Sequence, residues 1–113
     1  MMEIKRGDIW LADLNPVVGR EQAGLRPVLI TSSDHFNQGF AQLAYAVPLT
    51  SRDRHIRSHV VVWPPEGGLS IPSFIMCEAM RSISKDRLVK RLGDVSTDTM
   101  RMVEDTLRIL LEM

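Results

Sequence analysis

Residues 19–32, GREQAGLRPVLITS, set a polar, glycine-bounded loop directly against an apolar run. The loop half, Gly19 to Gly24, carries Arg20, Glu21 and Gln22 and has no large apolar side chain to anchor it in a core. The second half, Arg26 to Ser32, reads as a buried strand, with Pro27 near its start, where a missing N–H costs least. Upstream, Asp8 to Asp13 alternates as a strand does, with Ile9 and Leu11 on one face and Trp10 and Ala12 on the other. Asn15-Pro16 ends that strand.

Working downstream, Ser33 to Gly39 suits a short helical turn capped by Ser33. Gln42 to Leu49 predicts a third strand, and its Pro48 points to an edge or a bulge. Residues 51–58 read as a polar loop, followed by a strand from His59 to Trp63. Pro64, Pro65, Gly67 and Gly68 mark a turn region, and further strands are expected at Ser73 to Met80 and Leu88 to Leu92. The one long helix begins at Ser96, a good N-cap with Asp98 in the first turn. Its Met100, Val103, Leu107, Leu110 and Leu111 recur at helical spacing and make one apolar face for core or dimer packing. Many short strands followed by one helix predict a single α+β domain over residues 1–113. It is mainly antiparallel, a small curled sheet or barrel with the helix against it.

The bulk numbers narrow the class. At 44% hydrophobic and 25% charged residues, the chain has the composition of an ordinary soluble globular protein. No stretch approaches the roughly 20 apolar residues that cross a bilayer, and the start, Met1 to Asp13, lacks a secretory pattern, so the cytoplasm is the expected compartment. The lone Cys77 excludes an internal disulfide and suits a small buried apolar side chain. With one Cys and three scattered His no zinc-ligand spacing appears, so neither a metal nor a cofactor is expected.

Net charge is zero, but it is unevenly spread. Residues 52–59, RDRHIRSH, hold three Arg and two His against one Asp, and residues 81–91 hold five basic residues against one acid. From Asp94 onward there are five acidic residues against Arg101 and Arg108. Eleven of the fourteen cations are Arg, whose planar fork suits phosphate oxygens and base edges. A neutral total therefore does not exclude nucleic acid.

Three blocks resemble one family. Residues 6–10 (RGDIW), 15–16 (NP) and 19–30 (GREQAGLRPVLI) look like the N-terminal signature of the MazF/PemK toxins. Pro48-Leu49-Thr50 resembles the second block and Glu78 to Ile83, EAMRSI, the third. The resemblance implies a small SH3-like barrel of the CcdB/PemK kind. It also implies a metal-independent endoribonuclease, the toxin of a type II toxin–antitoxin pair. Such an enzyme cuts single-stranded RNA by attack of a ribose 2′-OH, leaving a 2′,3′-cyclic phosphate and a 5′-OH. The partners implied are the RNA, a cognate antitoxin with a flexible, often acidic tail, and a second copy of the chain.

The resemblance puts Arg26 and Thr50 at the positions credited with catalysis, where a guanidinium fork and a hydroxyl suit the phosphorane oxygens. Arg26 also suits a structural pair with Glu21 or another carboxylate. Glu78 is the third candidate, as general base or as orienter of Arg81 or Arg26. Met76 and Ala79 stand where some members carry Arg and Gln, which weakens the base role. Arg20, Glu21 and Gln22 from the first loop, Arg52, Arg54 and Arg57 from the second, and Arg81 are expected to bind RNA. His55 and His59 offer a competing imidazole pair for acid–base cleavage, against a plainer reading as solvated or phosphate-contacting residues. Trp10, Phe36 and Phe40 are the candidates for base stacking. Two other readings stand beside this one. A CcdB-like gyrase poison relies on a C-terminal tail containing Trp, whereas no aromatic follows Phe74 here. An RNA-binding module without catalysis is the other.

Overall fold

The computed structural model describes residues 3–15 and 24–113. Strands β1 (Asp8–Asp13), β2 (Leu25–Ile30) and β3 (Leu43–Thr50) form its antiparallel centre. Successive side chains of a strand point to opposite faces. Here both sets are apolar, so both faces are buried. Ile9, Leu29, Val47 and Leu49 enter one hydrophobic cluster, while Trp10, Ala12, Val28, Ile30, Ala44 and Ala46 enter another. The alternation read in residues 8–13 is thus real, but neither face is left to solvent.

β3 changes neighbours along its length. Leu43 to Ala46 pair with β6 (Arg81–Ser84), and Leu49 and Thr50 pair with β5 (Ser73–Met76), which pairs in turn with β4 (His59–Val62). Pro48 was expected at an edge or a bulge, and β3 is central. Thr31 N donates to Tyr45 O, so the odd-numbered residues of β3 bond toward β2 and Pro48 faces the other flank. There it falls between the last residue paired with β6 and the first paired with β5, where its missing N–H interrupts no ladder.

The strand expected at Ser73 to Met80 stops at Met76 and gives way to a tight helical turn, Cys77–Ala79, before β6 begins. β6 and β7 (Leu88–Asp94) are joined by a single turn, Lys85–Arg87, although they lie at opposite ends of the ladder β6-β3-β2-β1-β7. That connection forces the sheet to curl around the second cluster, which Ile83 and Leu88 complete. The result is a seven-stranded curled sheet whose ladder is not closed.

α1 (Asp34–Asn37) is the short turn capped by Ser33, whose side chain accepts from Phe36 N. α2 (Thr97–Leu111) starts at Ser96, whose hydroxyl accepts from Thr99 N. Met100, Val103 and Leu107 pack on the first cluster, whereas Leu110 and Leu111 of the same expected stripe are exposed. Among the described residues no helix is long and apolar enough to cross a membrane.

Two polar anchors hold this frame together. The carboxylate of Asp8, only 3% exposed, accepts from Lys5 N, Trp10 Nε1 and Arg91 Nε, tying β1 to β7. Buried carboxylates persist when paired and hydrogen-bonded in this way. Glu66 accepts from Ser96 N and Thr99 Oγ1 at 2.9 and 2.6 Å, docking the turn Glu66–Gly68 on the start of α2. That turn also lies on β7. A Cβ at Gly68, where φ is +71°, would meet Leu92 O at 1.9 Å, so only glycine fits.

Candidate active site

β2 and β3 run antiparallel with Val28 opposite Pro48. Extending that register by two residues brings Arg26, at the start of β2, level with Thr50, the last residue of β3. Both line one cleft of about 530 Å³, together with Leu25, Pro27, Leu49, Ser51 and residues of the 68–73 segment. Two residues far apart in the chain are thus neighbours because the ends of adjacent strands coincide. Thr50 is largely buried, and its Oγ1 accepts from Arg52 N at 3.2 Å. An acceptor lone pair is used there, which leaves the hydroxyl proton free to donate to a ligand. The loop that follows, residues 51–57, is exposed throughout and carries Arg52, Arg54 and Arg57. Cations on the flank of an Arg–Thr cleft suit a polyanion passing over it.

Glu78 lies elsewhere. It sits in the turn after β5 and does not line the Arg26–Thr50 cleft. Ser58 Oγ donates to its Oε1 at 2.5 Å, and His59 Nε2 lies 2.8 Å from its Oε2. The β4–β5 register, with His59 opposite Met76, is what brings this pair together. Burial alone would raise the Glu78 carboxyl, but the hydrogen bonds from Ser58 and His59 outweigh it and hold the group below the ordinary carboxylate range. The hydrogen bonds of its carboxylate among the described residues are to Ser58 and His59, whereas the sequence suggested Arg81 or Arg26 as the group it orients. Arg81 starts β6, half-buried and opposite Ala46.

The two imidazoles do not share a site. The His59 side chain is 3% exposed, whereas that of His55 is 86% exposed beside Asp53. His59 is therefore neither solvated nor reachable by phosphate, which corrects the plainer reading of that residue. Among the stacking candidates, Trp10 is a core residue donating to Asp8, and Phe36 stacks on Tyr45 at 5.3 Å. Phe40 alone is fully exposed. Cys77 is buried, and burial pushes its thiol up to about 11, as suits an inert apolar side chain. Arg20, Glu21 and Gln22, assigned to RNA from the sequence, lie outside the described residues. The Glu78–His59–Ser58 cluster was missed as a unit, since nothing local in the chain signals a contact made across a hairpin.

The family described as PemK-like, MazF-like toxin of type II toxin-antitoxin system matches residues 5–111. The chain belongs to this family. It is 35% identical to the endoribonuclease EndoA of Bacillus subtilis over 114 aligned positions, covering 99% of this chain and 97% of that one. Its fold superposes on MazF from Deinococcus radiodurans with a TM-score of 0.89 at 26% identity, covering all of both chains. It also matches an endoribonuclease from Mycobacterial species, solved in complex with its cognate antitoxin. There the TM-score is 0.79 at 25% identity, with 100% of this chain and 97% of that one covered. Within the PemK/MazF-like fold, the curled sheet and terminal helix carry the Arg26–Thr50 cleft at one end.

Proposed function

We propose that this chain is the toxin of a type II toxin–antitoxin system and an endoribonuclease acting on single-stranded RNA. The observation that carries the reading is the cleft that unites Arg26 and Thr50 beside an exposed arginine loop. Identity to a named endoribonuclease over nearly the whole chain supports it. The complex of a similar protein with its cognate antitoxin supports a protein inhibitor as the second partner. The enzyme works in the cytoplasm as a homodimer.

The chemistry assigned to the cleft is attack of a ribose 2′-OH on the adjacent phosphorus. Its proton passes to water while the bond to the 5′-oxygen breaks, and that oxygen takes a proton from water. Charge then gathers on the equatorial oxygens of the phosphorane, and the 5′-oxygen must leave. Arg26 supplies forked donors where that charge develops and a donor for the departing oxygen. Thr50 contributes its uncommitted hydroxyl proton to the same oxygens. Glu78 is held ionised by two hydrogen bonds outside this cleft, so its role is to fix His59 and the start of β4 rather than to take the 2′-OH proton. A carboxyl below its ordinary range is a weak base at neutral pH. Arg52, Arg54, Arg57 and Arg81, with Arg20, Glu21 and Gln22 of the first loop, bind the RNA.

The test incubates the purified protein with a long unstructured RNA in excess EDTA. Fragments ending in 2′,3′-cyclic phosphate and 5′-hydroxyl are expected. Intact RNA, or fragments with 3′-hydroxyl ends, would overturn the reading.

A further inference from the structure

The geometry points to Arg87 as a positioning residue of the ribonuclease site, acting on Arg26 through the paired ends of segment 16–23. The inference rests on the ribonuclease reading and adds a residue that acts through the backbone rather than on the RNA. The ladder between β1 and β7 ends where Ala12 pairs with Leu88, the first residue of β7. Just past that pair, Nη1 of Arg87 donates to Asp13 O at 3.1 Å and also to Asn15 O. One charged nitrogen thus draws two carbonyls of the chain leaving β1 to a single point. Charge-assisted donors of this kind are stronger than neutral ones. Asp13 Oδ1 accepts from Asn15 N at 3.0 Å, a side-chain turn that fixes the same three residues.

The far end of the segment is held against this clamp. Asn15 Oδ1 accepts from Gly24 N, and Leu14 N donates to Gly24 O, both at 3.0 Å. Gly24 has φ +76°, so the chain enters β2 through a conformation that suits glycine. Leu25 then pairs with Asp13, and Arg26 with Ala12. Arg26, Ala12 and Leu88 therefore stand in one row across β2, β1 and β7, and Arg87 sits one residue beyond that row. Its clamp lies at the entry to segment 16–23, and Arg26 lies two residues past Gly24 at the exit. Arg26 is only the second residue of β2, and strand ends open more readily than strand centres. The Asn15–Gly24 stem, with Arg87 behind it, holds that end shut. A catalytic group must be placed to within about 0.5 Å, so this support reaches the rate.

The experiment compares wild type, Arg87→Met, Asn15→Ala and Arg108→Met on one cleaved oligonucleotide over a series of salt concentrations. Thermal melts set an assay temperature at which each variant is folded, and hydrogen exchange is read at the Gly24 amide. Arg87→Met and Asn15→Ala are each expected to lower kcat by about tenfold, within the range that a misplaced catalytic group costs. The Gly24 amide of Arg87→Met should exchange faster than in the wild type, although Arg87 does not touch it. The dependence of KM on salt should stay that of the wild type, because a positioning residue has no phosphate contact to lose. Arg108→Met removes the same charge from α2 and should keep kcat within about twofold. Unchanged kcat in Arg87→Met, or unchanged exchange at Gly24, would overturn the inference. So would a shallower salt dependence, which would make Arg87 a direct RNA contact, or an equal loss of kcat in Arg108→Met. Should Arg87→Met fail to fold, Asn15→Ala carries the test, and unchanged kcat there overturns the inference. Failure of the wild type to cleave overturns the ribonuclease reading itself, whereas exchange at Gly24 still tests the Arg87 clamp.

Discussion

At the Thr50 end of β3, Arg26 and Thr50 line an open cleft beside an exposed basic loop. In the turn after β5, Glu78 bonds to Ser58 and to His59 at the start of β4, and the imidazole is buried. Both clusters hold residues that acid–base or phosphoryl chemistry uses. They differ in where their polar capacity points. The Thr50 hydroxyl keeps its proton for a ligand, whereas each oxygen of Glu78 already has a partner within the protein. Residue type nominates a catalytic group, and at Thr50 the contrast with Glu78 lies in a hydroxyl proton still available to a ligand.

Substitutions at the two clusters sharpen this contrast. On the proposed mechanism, Arg26→Ala removes the charge that meets the developing phosphorane. It should lower kcat by about a thousandfold while the circular dichroism spectrum stays that of the wild type. A fully active variant would clear Arg26 of its role. Thr50→Val keeps the shape and removes one donor, so a loss of about a hundredfold in kcat is expected. If kcat is retained and only KM rises, Thr50 binds substrate without serving the transition state.

Glu78→Gln is expected to act on stability instead, by about 1 kcal/mol or less for a half-exposed pair, with cleavage reduced only a few-fold. Its pH dependence has a definite sign. The folded carboxyl lies below its ordinary 4.5, so the stabilisation is present above that value and is lost as pH falls through the folded one. Acid melts should therefore show wild type converging on Glu78→Gln below about pH 4.5, while the two differ at neutral pH. Parallel curves across that window would remove the hydrogen-bonded carboxylate from the account. The smallest effect belongs to His55→Ala. That side chain is exposed and paired only with Asp53, so cleavage should stay within about twofold of wild type. Loss of all activity would restore the imidazole mechanism.

Several elements were legible before any fold was known. Residues 8–13 read as a strand from their alternation and residues 26–32 from a short apolar run, within which β2 ends at Ile30, and Ser96 announces α2 by its capping chemistry. β6 was not legible, since Arg81 to Ser84 is a mostly polar tetrapeptide whose strand geometry comes from pairing with Leu43 to Ala46. Pro48 pointed to an edge or a bulge, and it lies at a gap between two neighbours of a central strand, which no local pattern records. Leu110 and Leu111 extend the helical stripe assigned to core or dimer packing, and the core itself ends at Leu107.

By itself the sequence determined the class of fold, the family block from Gly19 to Ile30 and the candidacy of Arg26 and Thr50. These depend on short-range periodicity, turn chemistry and residue type, which a chain carries wherever it folds. Only the tertiary structure decided that Arg26 and Thr50 share a cleft and that Glu78 belongs to His59. Each of those contacts depends on strand register or on the docking of the Glu66–Gly68 turn on β7. The cause is physical. Register is set by how two buried apolar faces close on each other across the curled sheet, so it belongs to the whole core and to no single segment.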